Sequence, residues 1–304
     1  MISMKSSTPS LSAAAAAVGP CAMTAGPVSR LAAAWLLSSL ALGAGCVADA
    51  EEPLVDDETG ATETGATEQA VSWTSLQWHS CTSLDCTVSL GSSADRTCFL
   101  AGIRGKLASG SSSYPAGANV VDNGSWGWNL WIHNPSYEDI SVMTTCIANT
   151  ANRVTAYWHT GSAATEIPPG PSSTRRCFLS GVWNRNSTAF GTFSSNARVW
   201  RDGNYHFIGG TMPSGSDASI FATCVDVATN QGEYSYGNGT SSTITGDLTY
   251  NPATGGVACG LTGIGGQLTT NNPGRGIIID YDSATRYWNW TLSPWTGAWA
   301  MCVK

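Results

Sequence analysis

The chain has 304 residues, only 12% of them charged, and it contains 34 Gly, 13 Trp and 10 Cys. Its net charge of −7 comes from one stretch: eight acidic residues lie between Asp49 and Glu68, whereas residues 72–304 hold 12 Lys plus Arg against 13 Asp plus Glu. Because phosphate binding needs clustered positive charge, this near-neutral remainder excludes nucleic acid as the main partner.

Residues 1–45 have the pattern of an export signal. Arg30 precedes an apolar run at residues 31–42, which is shorter than the roughly 20 residues that a membrane-spanning helix needs. The part before Arg30 is long for a signal, so Met23 is a candidate for the true start. We therefore expect the protein to be exported.

The small residues 43–45 lead directly to Cys46. This arrangement resembles the bacterial lipobox, in which the cysteine becomes the lipidated N-terminus, although Gly43 stands where an aliphatic residue is favoured. The resemblance implies a lipid anchor at Cys46 and a place in the bacterial cell envelope, in the outer membrane or at the cell surface. The alternative is an ordinary secretory signal cut near Ala48 or Ala50, with Cys46 discarded.

Residues 46–71 are acidic and contain a near-duplicate, TGATE at 59–63 and again at 64–68. So few apolar residues cannot bury enough surface to offset the entropy of ordering, and the like charges repel. The segment is predicted to be a disordered tether behind the lipidated cysteine.

Residues 72–304 contain three related segments. Each opens with a cysteine strand and closes with a second cysteine: CFLAGI (98–103), CFLSGV (177–182) and CGLTGI (259–264) recur with TTCI (144–147), ATCV (222–225) and AMCV (300–303). The closing cysteines Cys146, Cys224 and Cys302 are spaced by 78 residues. This period predicts three repeats of about 75–80 residues at 72–150, 151–229 and 230–304.

Each repeat shows the same order of β-strand signals. The cysteine strand is apolar at both alternating sets of positions, which predicts burial on both faces. A hairpin follows, with Asn123-Gly124 or Asp202-Gly203 at its turn, and then an aromatic strand and the closing strand. No sustained 3.6-residue period occurs. The fold class expected is all-β, with three homologous antiparallel modules in contact, arranged about a pseudo-threefold axis or in a compact row.

The cysteines predict a disulfide framework, since an even number in an exported chain reads that way. Without Cys21 and Cys46, eight remain. The repeat symmetry selects the pairs Cys81–Cys86, Cys98–Cys146, Cys177–Cys224 and Cys259–Cys302, with Cα atoms about 5.5–6 Å apart. Zinc is the rival, but no Cys-x-x-Cys occurs and the histidines do not fall at matching positions, so no metal or cofactor is predicted.

The repeated pattern of a Cys-Phe-Leu-x-Gly strand, a Val-rich strand, a turn, an aromatic strand and an Ala-x-Cys-Val close resembles repeat modules of secreted bacterial proteins of unassigned function. The resemblance covers all three repeats and implies no activity or ligand. The third repeat departs from it, because Gly260 stands where the others have Phe99 and Phe178.

Aromatic residues are the feature with functional promise, since Trp and Tyr on exposed strands suit stacking on sugar rings and protein contacts. The alternative is that they fill the core. An exposed stripe beside the hairpin turns is the candidate ligand-binding surface, made of Trp126, Trp128, Tyr205, Phe207, Trp288 and Trp290.

No catalytic motif is present: Gly-x-Ser-x-Gly, His-Glu-x-x-His and the phosphate-binding Gly-x-x-x-x-Gly-Lys-Ser/Thr are all absent. Glu138-Asp139 matches Ser216-Asp217 in a loop, which favours structural capping. Asp280-x-Asp282 lacks the rest of a calcium loop.

The sequence therefore predicts a surface-anchored, non-enzymatic binding or adhesion lipoprotein, with the membrane and a glycan or envelope protein as partners. The alternatives are an envelope scaffold without a small ligand and, more remotely, a glycoside hydrolase with dispersed carboxylates.

Overall fold

The computed structural model describes residues 76–303 except 108–109, 138–139, 149–150, 187, 228–229, 238–240, 244–256, 269–275, 283 and 285–286. The predicted signal, Cys46 and the tether at 46–71 lie outside these residues, as do Glu138 and Asp139. Within the described part the protein is all-β: it contains no α-helix, and accordingly no helix long and apolar enough to cross a membrane.

The strands alternate in burial or are buried throughout, as period-2 and fully apolar segments dictate. In chain order they are β1 (Gln77–Cys81), β2 (Asp85–Gly91), β3 (Thr97–Arg104), β4 (Ala116–Asp122), β5 (Trp128–His133), β6 (Ile140–Ile147), β7 (Val154–His159), β8 (Thr165–Glu166), β9 (Arg175–Asn184), β10 (Asn196–Asp202), β11 (Tyr205–Thr211), β12 (Ala218–Asp226), β13 (Asn230–Gly237), β14 (Ser241–Thr243), β15 (Ala258–Gly266), β16 (Gly276–Asp282), β17 (Tyr287–Leu292) and β18 (Thr296–Val303).

These strands form three six-stranded antiparallel sheets. Sheet 1 has the order β1-β6-β3-β16-β17-β14, sheet 2 the order β2-β5-β4-β9-β12-β7, and sheet 3 the order β13-β18-β15-β10-β11-β8. At the centre of each sheet, strands from distant parts of the chain pair: β3 with β16, β4 with β9, and β10 with β15. Each sheet therefore draws its two halves from different stretches of sequence.

The cysteine strands β3, β9 and β15 contact one another and are buried on both faces, as predicted. One face of each contributes to the main hydrophobic core, and the other contributes to a second, smaller cluster. In that cluster the rings of Phe99 and Phe178 stack with centroids 4.0 Å apart. A side chain at Gly260 would collide with both rings. Gly260 is therefore the residue that leaves room for the stacked pair.

The structure contains four disulfides, and they join the predicted pairs, Cys81–Cys86, Cys98–Cys146, Cys177–Cys224 and Cys259–Cys302. In the last three the Cα atoms are 4.0–4.1 Å apart, closer than the expected 5.5–6 Å. The reason is the register: the two cysteines of each pair lie directly opposite each other on adjacent antiparallel strands. Cys81–Cys86 instead connects β1 of sheet 1 with β2 of sheet 2.

The two predicted hairpin turns differ. β10 and β11 are joined by two residues, with Gly203 at φ 60°. Between β4 and β5 the chain makes a wider turn, in which residues 124–126 form a 3-10 turn and Asn123 has φ −95°. A tight type I′ turn needs positive φ at both central residues, so the prediction is wrong for Asn123-Gly124 and also for Asp202-Gly203, where Gly203 alone has a positive φ. As a result Trp126 lies in the turn and not in the strand.

Candidate functional site

The structure separates the six aromatic side chains predicted to form one exposed stripe. Three are core residues with at most 1% of their surface exposed: Trp128, Trp288 and Trp290. For these three the prediction of an exposed surface is wrong. Trp126 is 83% exposed at the wide turn of sheet 2. Tyr205 and Phe207 lie on the outer face of β11 in sheet 3, exposed and half-buried respectively.

Two of the buried indoles have a specific partner that explains their burial. Trp128 Nε1 donates to the carbonyl of Arg96 at 2.8 Å, and Trp288 Nε1 donates to that of Val257 at 3.1 Å. Each carbonyl belongs to the residue two before the first cysteine of a cysteine strand. A buried Trp needs such an acceptor, and this one also joins the hairpin of one sheet to the cysteine strand of another.

On β11, His206 takes the place that Trp128 has on β5 and Trp288 has on β17. It is 2% exposed and hydrogen-bonds the backbone of Arg175. Burial, reinforced by the nearby guanidinium of Arg201, lowers the pKa of His206 from 6.5 to about 4. The ring is therefore neutral at pH 7, and we assign it the structural role that Trp128 and Trp288 have in the other hairpins.

A groove of about 660 Å³ lies at one end of the outer face of sheet 3. Phe193 and Trp295 lie side by side in its lining, 58% and 46% exposed, and pack on each other with ring centroids 4.7 Å apart and planes tilted by 59°. Trp299 of β18, half-buried, adds a third aromatic ring. None of these three residues is among those predicted from the sequence.

The floor of the groove is made of glycine. Gly265 of β15 pairs with Gly297 of β18 on one side and with Asn196 of β10 on the other, and Gly266 follows it. A Cβ at Gly265 would lie 2.8 Å from the carbonyl oxygen of Ser195, so the backbones approach too closely for a side chain. These glycines open the space that side chains occupy elsewhere.

The loops that carry Phe193 and Trp295 are both hydrogen-bonded to the end of β15. Gly266 N donates to the carbonyl of Ser195 at 2.7 Å, and Gln267 N donates to that of Trp295 at 2.8 Å. Trp295 itself has φ 69°, a conformation that non-glycine residues rarely adopt. Such backbone persists only where its surroundings hold it, and it is commonest at binding and active sites. The loops that carry the two rings are therefore preorganised.

Neutral polar groups complete the lining. Three accessible hydroxyl or amide side chains line it, those of Ser194, Asn196 and Ser235, whereas Ser195 and Thr296 are buried and their hydroxyls bond Thr192 and Ser293. Asn196 Nδ2 donates to the carbonyl of Ser194 at 3.1 Å, which directs the amide. No carboxylate or histidine is among the described residues that line the groove. The groove can stack on a flat ring and exchange hydrogen bonds with hydroxyls, but it offers no side chain suited to general acid or base catalysis.

An aromatic and cationic platform continues from the groove across sheet 3. The guanidinium of Arg198 lies 5.3 Å from the ring centroid of Trp299 and 5.4 Å from that of Trp200. Trp200 in turn stacks on Phe207, with centroids 5.8 Å apart and planes 21° apart. Phe207 is thus the one predicted site residue that contacts this platform.

Other polar clusters have structural partners. Asp217 Oδ1 lies 3.1 Å from His159 Nε2 and 3.5 Å from a guanidinium nitrogen of Arg185, so it ties loop to strand. His159 Nδ1 is 2.7 Å from the carbonyl of Thr160, so both ring nitrogens are engaged. In the part of the chain that the structure describes, no group of His, Cys, Asp and Glu could hold a metal ion.

Comparison with known proteins gives no assignment: no protein-family model matches the chain, and no curated protein is similar to it. The groove is therefore the basis for any functional conclusion.

Proposed function

We propose that the protein is an exported, non-enzymatic glycan-binding protein that holds a saccharide in the groove against the rings of Phe193, Trp295 and Trp299. The observation that carries the proposal is the combination of three aromatic rings, a glycine floor and hydroxyl and amide groups in one preorganised hollow. Aromatic faces stack on the apolar faces of sugar rings, and hydroxyl and amide groups bond their hydroxyls.

The proposal includes three homologous modules of about 75–80 residues. Its support is the repeated strand order, in which each sheet combines one cysteine strand with a hairpin from another part of the chain, and the matching disulfides. A pseudo-threefold arrangement of the three sheets is part of this proposal.

We propose further that Cys46 is lipidated and that residues 46–71 hold the binding domain away from a bacterial envelope membrane. Four disulfides fit an oxidising, exported compartment. A flexible tether of this length would separate the domain from the membrane surface by a few nanometres.

The test is a glycan array probed with the full exported chain, followed by calorimetric titration of the best ligand. Trp295→Ala should weaken binding about 30-fold, because truncating a central aromatic anchor typically costs about 2 kcal/mol. Trp126→Ala is the control, since Trp126 is also an exposed indole but lies on sheet 2. Unchanged thermal unfolding of both variants excludes misfolding.

Two results would contradict the proposal. If neutral and acidic glycans all fail to bind, the protein is better explained as an envelope scaffold. If Trp126→Ala and Trp295→Ala weaken binding equally, the groove is not the site.

A further inference from the structure

Building on the proposed function, we propose that the groove selects acidic saccharides and that Arg198 binds the carboxylate of a uronic acid residue. Arg198 is a specificity-determining residue whose position follows from the strand register. It projects from the same face of β10 as Asn196, two residues away, and Asn196 lines the groove. It therefore lies next to Trp299, which lines the groove.

The cross-strand neighbours of Arg198 are both glycines, which leaves space for its guanidinium. Arg198 pairs with Gly263 of β15 and with Gly209 of β11. Because neither neighbour has a side chain, the guanidinium can lie between the indoles of Trp200 and Trp299. Trp299 is shared: it contacts Arg198 and lines the groove. A sugar ring bound at Trp299 would thus have the cation beside it.

The hydrogen-bond donors of Arg198 are uncommitted. Cation–π contact engages the faces of the guanidinium and leaves its in-plane N–H groups for acceptors. Among the described residues Arg198 has neither an ion pair nor a hydrogen bond to its guanidinium. Arg201 on the same strand contrasts with it, because Arg201 donates to the carbonyl of Gly203 at 2.5 Å and to Asn204 Oδ1 at 2.7 Å. Arg198 alone of the two can bind a ligand.

The charges around the groove favour a single carboxylate. Its described lining contains no acidic residue that would repel one. Glu233, on the same face of β13 as Ser235, lines a separate small hollow with Arg201 and His206. One guanidinium presents one fork of N–H groups, which matches one carboxylate bidentately. A densely sulfated chain would need further cations that the lining does not supply.

The experiment titrates the full exported chain with uronate oligosaccharides and with their carboxyl-reduced counterparts, in which the acid is replaced by a neutral hydroxymethyl group. The probes are galacturonate, mannuronate and hyaluronan oligomers, with a chondroitin sulfate oligomer as a separate arm. We expect at least one free acid to bind tenfold or more tightly than its reduced form at low salt, with the ratio falling as salt rises.

Arg198→Gln should lower the ratio of the two affinities to about one, while the affinity for the reduced form stays within twofold. Arg198→Lys, which keeps the charge but not the planar fork, should retain part of it. Trp295→Ala should weaken both forms, because it removes stacking and not charge recognition. Thermal unfolding is the folding check for each variant.

The failures can be told apart. Equal affinity for free acid and reduced form, or a ratio that survives Arg198→Gln, would overturn the role of Arg198 and leave glycan binding standing. Preference for the sulfated oligomer over every uronate would also overturn it. If no probe and no neutral glycan binds, both proposals fall.

Discussion

Sheets 2 and 3 have the same strand order, but aromatic side chains fill the outer face of sheet 2, whereas the outer face of sheet 3 has an open groove. In sheet 2, Trp183 lies six residues after the cysteine of β9, its ring 5.0 Å from that of Phe221, and Phe221 packs at 6.4 Å on Tyr157. In sheet 3 the position six residues after the cysteine of β15 is Gly265, and Ser235 stands opposite Trp299 on the edge strand as Tyr157 stands opposite Phe221.

The difference decides where a ligand can bind. The groove of about 660 Å³ in sheet 3 lies at Gly265, the position that Trp183 fills in sheet 2, and the hollow of about 340 Å³ on sheet 2 lies elsewhere, between Asn119, Tyr157 and Ser180. The backbone ladder is common to both faces, so two substitutions, Trp to Gly and Tyr to Ser, distinguish a packed face from an open one. Side chains, and not topology, make the candidate site.

The largest expected effect is a loss of folding stability at low pH. It arises in the hairpin strands, where sheet 3 has His206 at the place that Trp128 takes in sheet 2. Only the histidine can bind a proton, and its folded pKa of about 4 is below the ordinary 6.5. Between pH 4 and pH 6.5, His206 is protonated in the unfolded chain but not in the folded chain. Its contribution to the free energy of unfolding is therefore complete above pH 6.5 and falls towards pH 4. At 1.4 kcal/mol per pKa unit the loss is roughly 3 kcal/mol.

Urea unfolding at several pH values, on the protein and on His206→Gln, measures this effect. The other histidines contribute equally to both proteins, so the difference between the two curves isolates His206. Parallel curves from pH 4 to 6.5 would show that the ring is hydrated or already protonated in the folded state.

A smaller effect is expected from closing the groove with the residue that sheet 2 uses. Ser235→Tyr puts a phenol ring beside Trp299 on an exposed position of an edge strand. Glycan affinity should fall about tenfold, or about 1.4 kcal/mol, while stability is unchanged. Calorimetric titration measures this, with Ser235→Thr as the conservative control. Retained affinity in the tyrosine variant would mean that the sugar does not use this side of the groove.

The smallest effect is expected from the reverse change, Tyr157→Ser. Tyr157 is 68% exposed and makes one aromatic contact, so its loss should cost about 0.5 kcal/mol in thermal or urea unfolding. Sheet 2 should gain no glycan binding, because Trp183 still fills the position of Gly265. A second binding site appearing in titration would show that the edge residue alone separates the two faces.

Much of the fold follows from the sequence, because it is encoded by local patterns. The all-β class, the doubly buried cysteine strands and the disulfide pairs come from period-2 apolar patterns and cysteine spacing. The pairing of each cysteine strand with a hairpin from a distant part of the chain could not be predicted in this way, because the sequence of one strand does not identify a partner far along the chain.

The candidate site escaped prediction for related reasons. Alternation identifies residues that share a face but not which face is buried, so Trp128 and Trp288 were assigned to the wrong one. Phe193 and Trp295 come from loops about 100 residues apart, and only the fold brings them together. One local signal did exist: the glycines at 260, 263, 265 and 266 in β15 indicate space or close approach.

The pairing of β3 with β16, β4 with β9 and β10 with β15 has a consequence for truncated or nicked forms of the protein. Removing any one hairpin would strip the partner from a central cysteine strand elsewhere and leave an apolar edge ready to associate with a second molecule. Proteolysis within a single hairpin should therefore produce aggregates and not a smaller soluble domain, and folding should not be complete until β18 is available to pair with β15.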